Sequence, residues 1–82
     1  MIMRKTTYTV KRFDIDDEYY VEVTPQIMDC KEFYEFHLCF NKYGVKKLMF
    51  GIYEKNPSDE YLEEMINNNI DYYIQLYKES VF

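Results

Sequence analysis

Apolar and polar positions alternate along the first two thirds of the chain. Along the last third they recur every three to four residues. Residues 5–13 (KTTYTVKRF) are rich in Thr, Tyr and Val, which suits a strand. Asp14-Ile15-Asp16-Asp17 is a polar turn signal. Residues 18–24 place Tyr19, Val21 and Val23 on one face and Tyr20, Glu22 and Thr24 on the other. Pro25 is expected to end that run or to place it at a sheet edge. Residues 31–40 place Tyr34, Phe36, Leu38 and Phe40 on one face, and Phe33, Glu35, His37 and Cys39 on the other. Asn41-Lys42-Tyr43-Gly44 reads as a hairpin connection with Gly where a positive φ is tolerated. Residues 45–53 form a fourth strand, with Leu48, Phe50 and Ile52 inward.

After Asn56-Pro57-Ser58 the period changes. Either Asn56 caps a helix with Pro57 in its first position, or Ser58 caps it with acids in the first turn. Leu62, Met65, Ile66, Ile70, Tyr73, Ile74 and Tyr77 form a broad apolar stripe. Glu64, Asn67, Asn68, Asp71, Gln75 and Lys78 take the opposite side. A helix over 58–79 spans about 33 Å. Asn69 falls inside the stripe, so either its amide finds a backbone carbonyl at the sheet edge or the helix projects past the sheet there. Val81 and Phe82 are placed to fold back on the core.

These elements predict an α+β fold over residues 1–82 as one domain. It is a four-stranded, mostly antiparallel sheet followed by one long C-terminal helix packed on one face (ββββα). The other face of the sheet is left uncovered. On this reading it carries Thr7, Thr9, Lys11, Phe13, Tyr20, Glu22, Thr24, Phe33, Glu35, His37, Cys39, Lys47, Met49 and Tyr53. Exposed aromatics rimmed by charge suggest a partner surface; ordinary cross-strand pairing on a solvated face, or a homodimer face, accounts for the same residues.

Charge changes the picture of that partner. The 82 residues carry 10 Lys plus Arg against 15 Asp plus Glu, a net charge of −5. That argues against a plain nucleic-acid-binding module and against docking on anionic lipid. An aromatic sheet also serves as a platform for single-stranded RNA, but the basic charge and the Gly-aromatic signature of such modules are missing. The acids cluster at Asp14, Asp16, Asp17 and Glu18 and again at Asp59, Glu60, Glu63 and Glu64. Such clusters can imitate spaced phosphates in a basic groove. Equally, acids at a helix start stabilise its dipole, and acidic turns are ordinarily just solvated.

No apolar run reaches the roughly 18 residues of a membrane span. Met1-Ile2-Met3-Arg4-Lys5 leads into Thr and Tyr, so no signal peptide is expected and the chain is read as cytoplasmic. Cys30 and Cys39 are read as free thiols on one strand with opposite parity, beyond disulfide reach. His37 is the sole histidine, so neither a metal site nor a catalytic triad is expected, and no cofactor. Cys39 shares a face with His37, which makes a Cys–His nucleophile conceivable; a half-exposed sheet histidine is the simpler reading. Asp14, Asp16 and Glu18 share one parity but lack the spacing and the Gly of a calcium loop.

The chain has no Ala and no Trp, only 2 Gly and 2 Pro, and much Lys, Ile, Asn, Tyr and Phe. That codon bias indicates an AT-rich genome, such as a low-GC bacterium or its phages and plasmids. In size, acidity and composition the chain resembles small phage and mobile-element proteins that inhibit host defence nucleases, anti-CRISPR proteins among them. The resemblance is one of bulk properties and rests on no motif. The expected function is therefore non-enzymatic: a small acidic inhibitor that binds a host protein and occludes a nucleic-acid enzyme. Tyr20, Phe33 and Tyr53 are the expected anchors, and Asp14, Asp16 and Asp17 the steering charges. The alternative is a structural or regulatory homodimer packed through the same aromatic face.

Overall fold

The computed structural model describes residues 9–81. Four antiparallel strands lie in chain order: β1 (Lys11–Asp14), β2 (Tyr19–Met28), β3 (Lys31–Phe40) and β4 (Val45–Tyr53). One helix, α1 (Asp59–Val81), follows and packs on one face. The ββββα order expected from the pattern is the order found.

The core is a single apolar seam between sheet and helix. Val21, Val23, Phe36 and Leu38 from the sheet and Leu62 and Ile66 from the helix are almost wholly buried. Each such side chain contributes roughly 1.5–3 kcal/mol when withdrawn from water. Phe50 stacks on Phe36 with ring centroids 4.5 Å apart, and Tyr73 of α1 approaches Phe50 at 6.0 Å. Ser58 is the residue that caps α1: its Oγ accepts from the Tyr61 amide at 3.1 Å and its carbonyl from Leu62 at 3.1 Å. Asn56 instead takes a positive φ of 48° in the preceding turn. Lys11 of β1 pairs with Asp59 at the helix start, and the Tyr77 hydroxyl reaches the Leu48 carbonyl near its end. The helix therefore crosses the sheet obliquely, from the β1 edge to β4.

Several sequence expectations need correction. Pro25 does not end β2, which runs on to Met28 and pairs Pro25 with Tyr34. Among the described residues, β1 pairing stops at Lys11↔Val23, so Pro25 has no described strand partner on that side, which agrees with the edge position expected as the alternative to a strand end. The turn that follows is two residues, Asp29 and Cys30, with φ of 52° and 60°. Positive φ at both central positions is the backbone a tight hairpin needs to match strand twist. Cys30 thus sits in the turn and not on the strand that holds Cys39. Both thiols are free, as expected.

Strand β1 has the opposite parity to that expected. Lys11 and Phe13 face Val23 and Val21 on the helix side, while Arg12 and Asp14 face Glu22 and Tyr20 on the open side. The apolar ring of Phe13 goes to the core, where it packs with Ile15. Asp14 ends the strand and does not belong to the turn. Thr9 and Val10 lie outside the strand, and residues 5–8 of the predicted strand, Thr7 included, lie outside the described residues. Asn69 donates from Nδ2 to the Met65 carbonyl of its own helix at 2.7 Å, not to the sheet. Val81 continues the helix; the proposed fold-back of Val81 and Phe82 involves side chains outside the described residues.

The largest correction is a bulge in β4. Phe36 pairs with Phe50, but His37 pairs with Leu48, so Met49 has no partner in the ladder. The shift inverts facing on the proximal half of the strand. Leu48, expected inward, points to the open face and is 52% exposed, whereas Met49 is buried. Lys47, expected on the open face, lies opposite Leu38 on the helix side.

The Tyr77 hydroxyl donates to the carbonyl beside this bulge. Tyr77→Phe is expected to lower unfolding free energy by about 1 kcal/mol through loss of that bond, read by urea denaturation. Full retention of stability with the phenyl ring in place rules out that role.

Candidate protein-binding surfaces

With the bulge and the β1 parity in place, the open face holds Arg12, Asp14, Tyr20, Glu22, Thr24, Phe33, Glu35, His37, Cys39, Lys46, Leu48, Gly51 and Tyr53. All three expected anchors are on it, but at two ends. Tyr20 lies opposite Cys39, while Phe33 lies opposite Tyr53. Six residues of β3 separate these pairs, about 20 Å at 3.3 Å per residue.

At the Tyr20 end, side chains of the chain itself occupy the aromatic surface. The Arg12 guanidinium lies 3.8 Å from the ring centroid of Tyr20 and its Nε donates to Asp14 at 2.8 Å. Lys46 of β4 reaches Glu22 of β2 at 2.8 Å, bridging over the intervening strand β3. Beneath this layer Cys39 is 3% exposed. Its Sγ contacts the carbonyl of His37 at 3.8 Å and not the imidazole. Burial, reinforced by Glu22, pushes the thiol pKa up, which is the reverse of what a nucleophile needs. His37 Nε2 is 3.6 Å from Glu35, and its Nδ1 is buried without a hydrogen-bond partner. No group of three or more His, Cys, Asp or Glu suited to a metal occurs among the described residues.

At the other end the surface is more open. The Phe33 ring lies over Gly51, so close that a Cβ there would sit 2.1 Å from Cζ of Phe33. Its partner Tyr53, with ring centroids 4.8 Å apart, is 53% exposed. Tyr53 also borders a shallow cleft of about 660 Å³ with Cys30, Lys31 and Lys55. Exposed Leu48 lies further along the same strand, and Met28 of β2 is also exposed on this face.

The expected steering acids separate by role. Asp14 is paired to Arg12. Asp16 is structural: its Oδ1 accepts from the amides of Glu18 at 2.8 Å and Tyr19 at 3.0 Å, closing the β1–β2 turn. Asp17 is exposed; its carbonyl accepts from Asn41 Nδ2 at 3.1 Å. One acid from each block, remote in sequence, lies at a common cleft. Arg12, Phe13, Asp14 and Ile15 share a cleft of about 370 Å³ with Glu63, Ile66 and Asn67 of α1. The end of β1 and the first turns of the helix therefore flank one edge of the molecule, with Arg12 between them paired to Asp14. Sequence reasoning located both clusters without this juxtaposition, which depends on where the helix crosses. It also missed exposed Tyr61, Tyr72 and Leu76 on α1, although their spacing was legible as a second helical stripe.

Each resolved pKa displacement, at Arg12, Tyr19, Tyr20, Cys39 and Lys46, is upward. For Arg12 and Lys46 the leading cause is a carboxylate hydrogen bond, and for Tyr19 and Cys39 it is burial. A raised pKa in the folded state contributes stability that is present below the unfolded value and is lost as pH rises through the folded one. The protein is therefore expected to lose stability on the alkaline side, starting near the ordinary thiol range, and Cys39→Ala is expected to flatten the first part of that fall. A pH series of urea midpoints checks this, and an unchanged slope in Cys39→Ala refutes it. In the same protein, Cys30 is expected to react with a thiol reagent at once and Cys39 only on unfolding. Equal labelling rates in the native state overturn the burial assignment.

No helix among the described residues is long and apolar enough to cross a membrane. No protein-family model, curated protein or solved structure matches this chain.

Proposed function

We propose that this chain is a non-enzymatic protein-binding module, a small acidic inhibitor that occludes a basic surface of a host nucleic-acid enzyme. The observation that carries the reading is the cleft that brings Asp14, at the end of β1, beside Glu63 of α1. Asp14 is paired to Arg12 and Asp59 to Lys11, so the charges offered to a basic groove along this edge are those of exposed Asp17, Glu60 and Glu63. Long-range attraction speeds such encounters and weakens with salt. The burial and raised pKa of Cys39, whose thiol donates to the backbone carbonyl of His37, support a binding role over a catalytic one. The origin in a phage or mobile element, and the kinship in kind with anti-CRISPR inhibitors, rest on composition and size. Exposed Tyr53 and half-buried Phe33, with Tyr20 nearer the acidic edge, are the anchors of the reading, and Asp17 is its freest steering charge.

One observation favours a second reading. The β4 bulge turns Leu48 outward on the same face as Tyr53, which suits a homodimer packed sheet to sheet. Such a dimer would have twice the 10.2 kDa mass of the chain.

The test is recovery of partners on the tagged protein from a low-GC bacterial lysate at low and moderate salt. One stoichiometric nucleic-acid enzyme, lost at the higher salt, is the expected result. The variant Asp17→Asn/Glu60→Gln/Glu63→Gln, which leaves the Asp16 turn and the Asp14–Arg12 pair intact, is expected to weaken capture about tenfold or more, as loss of several steering charges should. Capture indifferent to both salt and these three substitutions ends the charge-occlusion reading. A light-scattering mass of two chains, reduced to one by Leu48→Asp, establishes the homodimer instead.

A further inference from the structure

The helix carries an apolar flank that the core does not use. Tyr61, Met65, Tyr72 and Leu76 lie within about 60° of one another around a 3.6-residue helix. Tyr72 is 64% exposed, Leu76 47% and Tyr61 38%, while half-buried Met65 joins the flank to the core. Asn68 completes the row, so the steps along it are four, three, four and four residues. That is the spacing by which one helix meets another. From Tyr61 to Leu76 the row is about 22 Å long, or four turns.

Charge selects what covers it. Glu64 and Asp71 border the row on its solvent side, with Gln75 between them and the helix end. The helix as a whole holds Asp59, Glu60, Glu63, Glu64, Asp71 and Glu79 against Lys78 alone. A second copy of this helix would bring like charges together along the whole contact, within the roughly 8 Å over which charges still act at physiological salt. Nucleic acid and anionic lipid are disfavoured by the same sign.

We propose that this flank docks a basic amphipathic helix of a partner protein. Its Leu, Met or Phe side chains would lie along Tyr61, Tyr72 and Leu76, and its Lys or Arg side chains against Glu64 and Asp71. The inference borrows from the proposed inhibitor role only the basic character of the partner. It uses residues away from the β1 cleft, so the two readings fail separately.

The probe is a synthetic 16-residue peptide with leucines on one helical face and lysines on its flanks. The control has the same composition with the leucines scattered around the helix. Binding is followed by fluorescence anisotropy at low and physiological salt. The amphipathic peptide is expected to bind about tenfold or more tighter than the control, as an interface centred on aromatic anchors should. Tyr72→Ser/Leu76→Ser, both surface positions, is expected to remove that advantage, and Glu64→Gln/Asp71→Asn to reduce the salt dependence. Asp17→Asn/Glu63→Gln is expected to leave the advantage intact; its loss there would place the contact at the β1 edge and overturn the proposal. Equal binding of the two peptides, or an advantage that survives Tyr72→Ser/Leu76→Ser in a variant with unchanged circular dichroism, also overturns it.

Discussion

The structure depends on the apolar seam that Leu62, Ile66 and Ile70 of the helix form with Val21, Val23, Phe36 and Leu38 of the sheet. A four-stranded sheet has no independent reason to prefer one face for its aromatics. The helix supplies that reason, because a register slip of one residue would carry every buried side chain into water. The seam also limits the chain. A single helix covers one face only, so the large side chains of opposite parity, Tyr20, Phe33 and Tyr53, remain outside. In so small a chain the surfaces available for binding are the remainder of its packing.

The bulge at Met49 shows the same constraint at one residue. Strict alternation along VKKLMFGIY gives Leu48, Phe50 and Ile52 one facing. One extra residue lets Met49 enter the core beside Phe50 and turns Leu48 outward. The helix accommodates the irregularity through the Tyr77 hydroxyl at the Leu48 carbonyl. The cost is an exposed leucine on β4, on the same face as Tyr53.

Electrostatics on the open face has two different characters. Near Tyr20, Arg12 with Asp14 and Lys46 with Glu22 pair within the chain and shield Cys39. These exposed pairs contribute little to stability one by one, but they occupy surface that a partner would otherwise meet. On the outer helix Glu60, Glu63, Glu64 and Asp71 are exposed, whereas Asp59 at the helix start pairs with Lys11 of β1.

Pattern and composition alone were enough to predict the strand–helix order, the core parity of β2 and β3 and the two acidic blocks. Period 2 and period 3.6 are local properties, legible wherever one face is apolar. The facing of β1 was not legible, because Thr, Lys and Phe alternate there without a clean apolar set. Pro25 left two readings open, a strand end or an edge position, because the sequence alone does not show which neighbour a strand has on each side. The bulge was hidden because Leu48 and Met49 are both apolar and either could fill the core. One acid from each cluster came to a common cleft only through the angle at which the helix crosses, and that angle follows from side-chain packing between elements remote in the chain.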